Sequence, residues 1–569
     1  MRRRHTLLLV ALLLIAAPLA AQKTRPTRPA RQAVVVSDHH LASRVGLEVL
    51  RQRGNAVDAA IATAFALAVV HPAAGNIGGG GFLLYHGADG TTTSFNFRET
   101  APAAATTSMY LDPSGEVRAN SNHDGPLSVG VPGTVAGLWL AHQRLGSLAW
   151  RQLVQPAVDL ARDGFPVSWE LIDFMEDLAP VDHPWYAETR RVFLDDGRPY
   201  APHETLRQPD LARSLERIRD DGRDGFYRGE TARLLTEFLA KHGGILTEED
   251  LASYHAVEQP PVHGTYRGYD VYGMAPPSSG GIAIIEMLNV LEGYDLKALG
   301  HNSAAYVHLV AESLRRAFAD RAEHLGDPAF NPDQPVARLL SKAHAASLRA
   351  SIDPERASAS SRNAFSAAYL ARSESEETTH FSVVDAAGNA VAVTYTLEYS
   401  YGSRMMVEGA GFLLNNEMGD FNPLPGETRD RGLIGTAPNL VAPGKRMLSS
   451  MSPTIVAREG VPYLVVGSPG GRTIISTVLQ VVLNVLDHGM NIAEAVAAPR
   501  VHHQWLPDEL RMERWGLSTD TVALLEAKGH RLVVRGAQGR THGVWIDPES
   551  GRRHAASDPR AYNGGAAGD

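Results

Sequence analysis

The chain has 569 residues and a formal net charge of −9, so the basic footprint of a nucleic-acid partner is absent. It contains no cysteine, which excludes thiol nucleophiles, disulfides, iron–sulfur clusters and thiolate zinc sites. Covalent catalysis would have to use a hydroxyl, an amine or a carboxylate.

In chain order, Met1–His5 carries three arginines and leads into the apolar run Leu7–Ala21. That run has the length of a signal-peptide core and falls short of the roughly 20 residues that span a bilayer. Residues 1–21 are therefore expected to be a cleaved signal peptide and not a stable membrane anchor, and residues 22–33 a solvated linker. Export to a periplasm or to the outside follows. Leu41–Arg53 has helical spacing with Gly54 as its stop, and Asn55 should cap an almost wholly apolar helix, Ala56–Val70. The four glycines Gly78–Gly81 precede a strand, Phe82–Tyr85, and lack a dinucleotide fingerprint, so close backbone packing explains them best.

Leu148–Asp163, Ser303–His324 and Pro335–Ile352 carry the spacing of further helices. His380–Asp385 and Ala390–Thr396 are β-branched runs around Ala386-Ala387-Gly388-Asn389, which predicts a hairpin. Gly411–Asn415, Thr454–Ala457 and Tyr463–Val466 read as strands, and Arg472–Leu486 as an apolar helix entered through Pro469-Gly470-Gly471. The pattern points to an α+β fold with two sheets between helical layers. The adjacent pairs His39-His40 and His502-His503 point to opposite sides of a strand and make poor chelators, so no metal is expected.

Thr378 heads a strand after the polar, acidic stretch Arg372–Glu377. Its neighbourhood reads first as a polar loop entering a strand, and alternatively as a latent N-terminus, whose freed α-amino group could activate its own hydroxyl. Spacing leaves both open. The surrounding segment, Thr378-Thr379-His380 with Ser382-Val383-Val384-Asp385, resembles the nucleophile segment of the γ-glutamyltransferases. The resemblance continues through Asn76–Phe82, Asn96-Phe97-Arg98-Glu99, Val129–Gly133, Pro276–Gly281, Leu448–Thr454, Gly467–Gly471 and Pro499–Trp505.

That resemblance implies an N-terminal nucleophile hydrolase with a four-layer αββα sandwich. It implies self-cleavage between Glu377 and Thr378 into a large subunit (34–377) and a small catalytic subunit (378–569) sharing one core. Thr378 would be the nucleophile, Thr396 its hydroxyl partner, and Gly470 and Gly471 the oxyanion hole. Arg98, Ser449 and Ser450 would hold the substrate α-carboxylate, and Glu398, Glu417 and Asp420 its α-ammonium. Glutathione and other γ-glutamyl compounds would be donors, amino acids or dipeptides acceptors, and no metal or organic cofactor is implied.

Two features depart from well-studied bacterial relatives. Glu398 and Glu417 stand where some relatives carry amides, so mutual repulsion should raise one carboxyl pKa in the empty site. In the lid-like loop Pro425–Thr436, Arg431 stands where lidded relatives have an aromatic ring, which implies more hydrolysis relative to transfer. Other members of the fold act on glutaryl-type amides or poly-γ-glutamate, and Asp420 argues against the glutaryl type. A catalytically silent binding protein would be expected to have lost Thr378, Thr396 or the glycine pair.

Overall fold

The structure, a computed structural model, describes residues 29–118, 121–360, 378–429 and 434–569. The signal-peptide stretch, Glu377 and Arg431 lie outside these residues.

Two seven-stranded antiparallel sheets stack face to face. The first runs Gly565–Gly568, Val34–Ser37, Thr379–Val384, Ala390–Thr396, Gly80–His86, Thr92–Phe97, Val257–Gln259. The second runs Pro29–Ala30, Arg553–Ser557, His542–Ile546, Val461–Val466, Thr454–Arg458, Tyr269–Gly273, Val262–Tyr266. Between them lies a small core in which Val36, Leu84 and Ala392 meet Ile455, Val465 and Val544. Each sheet buries its other face under helices. Ala56–Val70 lies on the first, and Gly280–Leu291 and Thr473–Leu486 on the second. This is the expected αββα sandwich, with strands from both sides of position 378 interleaved in each sheet.

The helix Ala56–Val70 is buried at every residue, so it cannot be amphipathic and must sit inside the molecule. Asn55 caps it as expected: its side chain accepts from Val57 and Asp58 N–H groups while Asp58 accepts from Asn55 N–H. The hairpin also forms, with Thr379 opposite Tyr395. Its turn is fastened by Asp385, whose carboxylate accepts from Asn389 N–H at 2.9 Å and from Ala56 N–H at 3.0 Å.

Three expectations change. The stretch Pro335–Ile352 is two helices, Val336–Leu339 and Lys342–Ala350, because Ser341 stops one and caps the next through His344 N–H. Gly411–Asn415 is not a strand. Gly409 and Gly411 adopt positive φ (76° and 74°), which folds residues 405–414 into an irregular loop closed by Leu414 N–H donating to Met405 C=O. The end of the supposed linker is ordered, since Pro29–Ala30 pairs with the strand Arg553–Ser557 at the edge of the second sheet.

Candidate active site

The hairpin register sets the first element of the site. Thr379 pairs with Tyr395 and His380 with Thr394, so continuing the ladder by one residue puts Thr378 across from Thr396. Their hydroxyls lie 3.4 Å apart. Thr396 Oγ1 also accepts from Glu398 N–H at 2.8 Å, and Thr396 C=O accepts from the Asn76 side chain at 2.9 Å. Gly79 lets that segment approach: a Cβ there would lie 2.0 Å from Thr396 O. Close packing is thus the role of at least this glycine. Thr378 itself is only 4% exposed.

Beside the hydroxyl pair lies a buried ion cluster. Arg98, at the end of the strand Thr92–Phe97, donates to Glu417 and Asp420 through separate guanidinium nitrogens. Its Nε donates to Met447 C=O at 3.3 Å and one Nη to Leu448 C=O at 3.4 Å. Glu99 Oε2 lies 3.7 Å from Arg98, yet among the described residues neither Glu99 oxygen has a hydrogen-bond partner. Asp420 is the member nearest solvent, with 39% of its side chain exposed.

Burial, rather than repulsion, is the main influence that raises these carboxyls. It pushes Glu398 up to about 7 and Glu99 up to about 8, with the charge of Asp420 adding to both. Glu417 rises well above the carboxylate range for the same first reason, against the pull of Arg98. Arg98 is itself raised: burial works against its charge, and Glu417, Asp420 and Glu99 overcome it. The expectation of a raised carboxyl in the empty site agrees with this, but its cause differs.

Glu398 sits at φ 83°, a left-handed conformation that costs a glutamate more than an asparagine. Its carboxylate lies 3.1 Å from His123 Nδ1, and His123 stacks on Tyr399 at 4.8 Å. Burial is the largest influence on His123 and lowers it, but the charge and hydrogen bond of Glu398, with Asp420 and Asp124, together hold it above its usual value. In the role the resemblance implies for Glu398, an acid that ionises near pH 7 would bind a substrate ammonium progressively better as pH rises. KM for an α-amino substrate should therefore fall between pH 6 and 8. In Glu398→Asn that dependence should flatten, and the melting temperature should rise through relief of about 1 kcal/mol of backbone strain. Parallel KM–pH profiles in the two proteins would refute the assignment.

Ser449 and Ser450 directly follow Met447 and Leu448, whose carbonyls accept from Arg98. Ser449 Oγ accepts from Met451 N–H at 3.1 Å, and Ser450 Oγ accepts from Arg321 at 3.0 Å. Gly470 and Gly471 form the turn into the helix Thr473–Leu486 with φ of 133° and 52°. Such a turn presents backbone N–H groups at a helix N-terminus, where negative charge is favoured.

The hydroxyl pair, Arg98, Glu398, Glu417 and Asp420 are thus assembled from segments far apart in sequence, with the two serines adjoining through the backbone of Leu448. The sequence assigns no role to His123 or Arg321, and none to Asn76 or Glu99 beyond their place in family-like segments. Nothing in their local spacing marks them, because each acts through a partner remote along the chain. A second unforeseen network supports the strand that follows Thr378. Thr379 Oγ1 donates to Asp38 at 2.8 Å, and Asp38 lies 2.8 Å from His542.

Comparison with known proteins places this geometry in context. Residues 42–568 match the family model described as Gamma-glutamyltranspeptidase. The chain is 48% identical to a glutathione hydrolase proenzyme of Escherichia coli K12, over 95% of this chain and 92% of that protein. Among solved structures, cephalosporin acylase from Bacillus halodurans superposes with a TM-score of 0.83 at 26% identity, covering 96% of this chain and 97% of that one. Helicobacter pylori gamma-glutamyltranspeptidase gives a TM-score of 0.56 at 42% identity, covering 59% and 95%.

Proposed function

Because the chain belongs to the gamma-glutamyltranspeptidase family, we propose that it is an exported, self-processing glutathione hydrolase and γ-glutamyltransferase with Thr378 as its nucleophile. The Thr378 hydroxyl attacks the Glu377 carbonyl, the peptide C–N bond breaks as the acyl group moves to oxygen, and water hydrolyses the resulting ester. A large subunit ending at Glu377 and a small subunit starting at Thr378 result. The freed α-amino group then takes the hydroxyl proton as Thr378 attacks a substrate γ-carbonyl.

Charge building on that carbonyl oxygen is met by the N–H groups of Gly470 and Gly471. The α-amino group returns its proton to the departing amine, leaving a γ-glutamyl ester on Thr378. Water attacks the ester in hydrolysis, and an amino acid or dipeptide amine attacks it in transfer. Thr396 orients the hydroxyl in both stages.

The ion cluster of Arg98 with Glu417 and Asp420 carries the choice of substrate. In the free site the cation and its acids neutralise one another. A free α-amino acid head is a zwitterion, so its carboxylate can take Arg98 with Ser449 and Ser450 while its ammonium takes Asp420, Glu417 and Glu398. Every buried charge keeps a partner through the exchange. A glutaryl group brings no ammonium and would strand the acids, and internal units of poly-γ-glutamate have the same defect.

Residues 1–21 direct export and are removed, and no described helix is long and apolar enough to cross a membrane. The test is chromophore release from γ-glutamyl and glutaryl anilides by the processed enzyme. The γ-glutamyl compound should be preferred at least about 100-fold, the loss that follows when a site built for a polar group meets an analogue without it. Comparable release from both would transfer the assignment to an acylase.

A further inference from the structure

On the face of the large-subunit segment where three helices meet, a second cluster of titratable side chains has no part in the reaction. Glu286 comes from the helix Gly280–Leu291, Asp320 and His324 from Ala304–His324, and His344 from Lys342–Ala350. His344 Nε2 lies 2.8 Å from Asp320 Oδ2 and 3.8 Å from Glu286 Oε1. One donor atom from each of Glu286, Asp320 and His344 lies within 4.8 Å of the others. His324 Nε2 stands 3.6 Å from the other Asp320 oxygen.

Glu286 is 1% exposed; its carboxyl meets that of Asp320, and its Oε1, which faces His344, accepts from no N–H or O–H donor among the described residues. A carboxylate oxygen buried without such a donor at the centre of the group is costly unless something occupies the space between the ligand atoms.

We propose that Glu286, Asp320 and His344 bind a divalent transition metal of the zinc class, with solvent as fourth ligand and His324 orienting Asp320. Two carboxylate oxygens and one imidazole nitrogen suit Zn²⁺, whose bonds of about 2.0–2.2 Å in tetrahedral geometry set donors about 3.3 Å apart. Shifts of about 1 Å bring the three donors to that spacing. Calcium needs six or more oxygens and magnesium an octahedral oxygen shell, and the cluster offers neither.

One competing contact must yield. Exposed Arg338 approaches His344 Nδ1 at 3.4 Å, the limit of a hydrogen bond, and metal at Nε2 requires the proton on Nδ1, so Arg338 swings to solvent. The no-metal expectation rested on missing cysteines, on adjacent histidine pairs and on the family resemblance, whereas these ligands lie on three separate helices.

The site ties together elements that serve the glutamyl pocket. Arg321, one residue beyond Asp320, donates to Ser279 Oγ and Ser450 Oγ, and Ser279 immediately precedes the helix that carries Glu286. Metal binding should therefore stabilise the fold by linkage without entering the chemistry.

The processed full-length enzyme would be stripped with chelator, dialysed and titrated with Zn²⁺ alone, with Co²⁺ as a spectroscopic probe. Uptake of one Zn²⁺ per molecule, visible Co²⁺ bands of a tetrahedral site and a melting temperature several degrees higher are expected. Asp320→Asn and His344→Gln should each weaken binding at least 10-fold, and Arg338→Ala should keep it. All three should retain anilide turnover, which certifies their fold. No stoichiometric uptake by the active enzyme, or undiminished uptake by the Asp320→Asn/His344→Gln double variant, would overturn the assignment.

Discussion

Thr378→Ala is expected to yield one uncut polypeptide with no measurable anilide release. Both outcomes follow from one atom, because in the proposed mechanism the hydroxyl that opens the Glu377–Thr378 bond is the hydroxyl that later accepts the glutamyl group. Loss of turnover should be at least about 10³-fold, in the range seen when a covalent nucleophile is removed. Thr378→Ser keeps the hydroxyl within reach of Thr396, which lies 3.4 Å from it in the native chain. It should cleave itself and turn over, more slowly in both. Denaturing gels and initial rates on the same preparations read the two steps separately. A Thr378→Ala protein that still splits at this bond would require another nucleophile for maturation. Retained turnover in that variant would remove Thr378 from catalysis.

The second large effect concerns Arg98. Its guanidinium serves two carboxylates and two backbone carbonyls at once, a task suited to a planar fork and not to a point charge. Removing one partner from a buried charge cluster costs about 3–5 kcal/mol. In Arg98→Met, KM for a γ-glutamyl anilide should therefore rise about 100- to 1,000-fold, and Arg98→Lys should recover little of it.

The stability of Arg98→Met should show the cause. Its stranded acids carry charge at high pH and are neutral at low pH, so the deficit in melting temperature should be largest near pH 8 and shrink toward pH 5. The sign follows from linkage: these folded-state carboxyls have raised pKa values, so they favour the folded state less as pH climbs. A deficit independent of pH would mean that lost packing, and not unpaired charge, is responsible.

Much of the frame was legible in the sequence because it rests on local rules. Asn55 with Asp58 announces a capped helix, and two β-branched runs around Gly388-Asn389 announce the hairpin that aligns Thr378 with Thr396. Where local rules compete, reading failed. Ser341 inside an apparently continuous helical pattern caps a new helix, and Gly409 and Gly411 turn an apolar run into a loop. Of the site, the roles of Arg98 and its acids came only from family resemblance, since nothing in their spacing brings residue 98 to residues 417 and 420. That they pair with one another in the free site, with burial setting their protonation, is visible only in three dimensions. His123, Arg321 and the helix-spanning group of Glu286, Asp320 and His344 belong to the same class.

The interleaving of the two sheets gives the proposed cut a meaning beyond exposing an amine. In the first sheet the strands Thr379–Val384 and Ala390–Thr396 are flanked by Val34–Ser37 and Gly80–His86, and in the second the strands from 454–466 and 542–557 lie between Pro29–Ala30 and the hairpin Val262–Gly273. Each product of the cut holds strands that complete the other's ladders, so the pair cannot part without breaking backbone hydrogen bonds in both sheets. The severed bond is then a tether needed only while the protein folds: present, it makes assembly a first-order event within one chain. Once it is gone, an unfolded enzyme faces a second-order search for its other half. Maturation thus turns an equilibrium structure into a one-way one, whose lifetime depends on how slowly it opens rather than on how well it refolds.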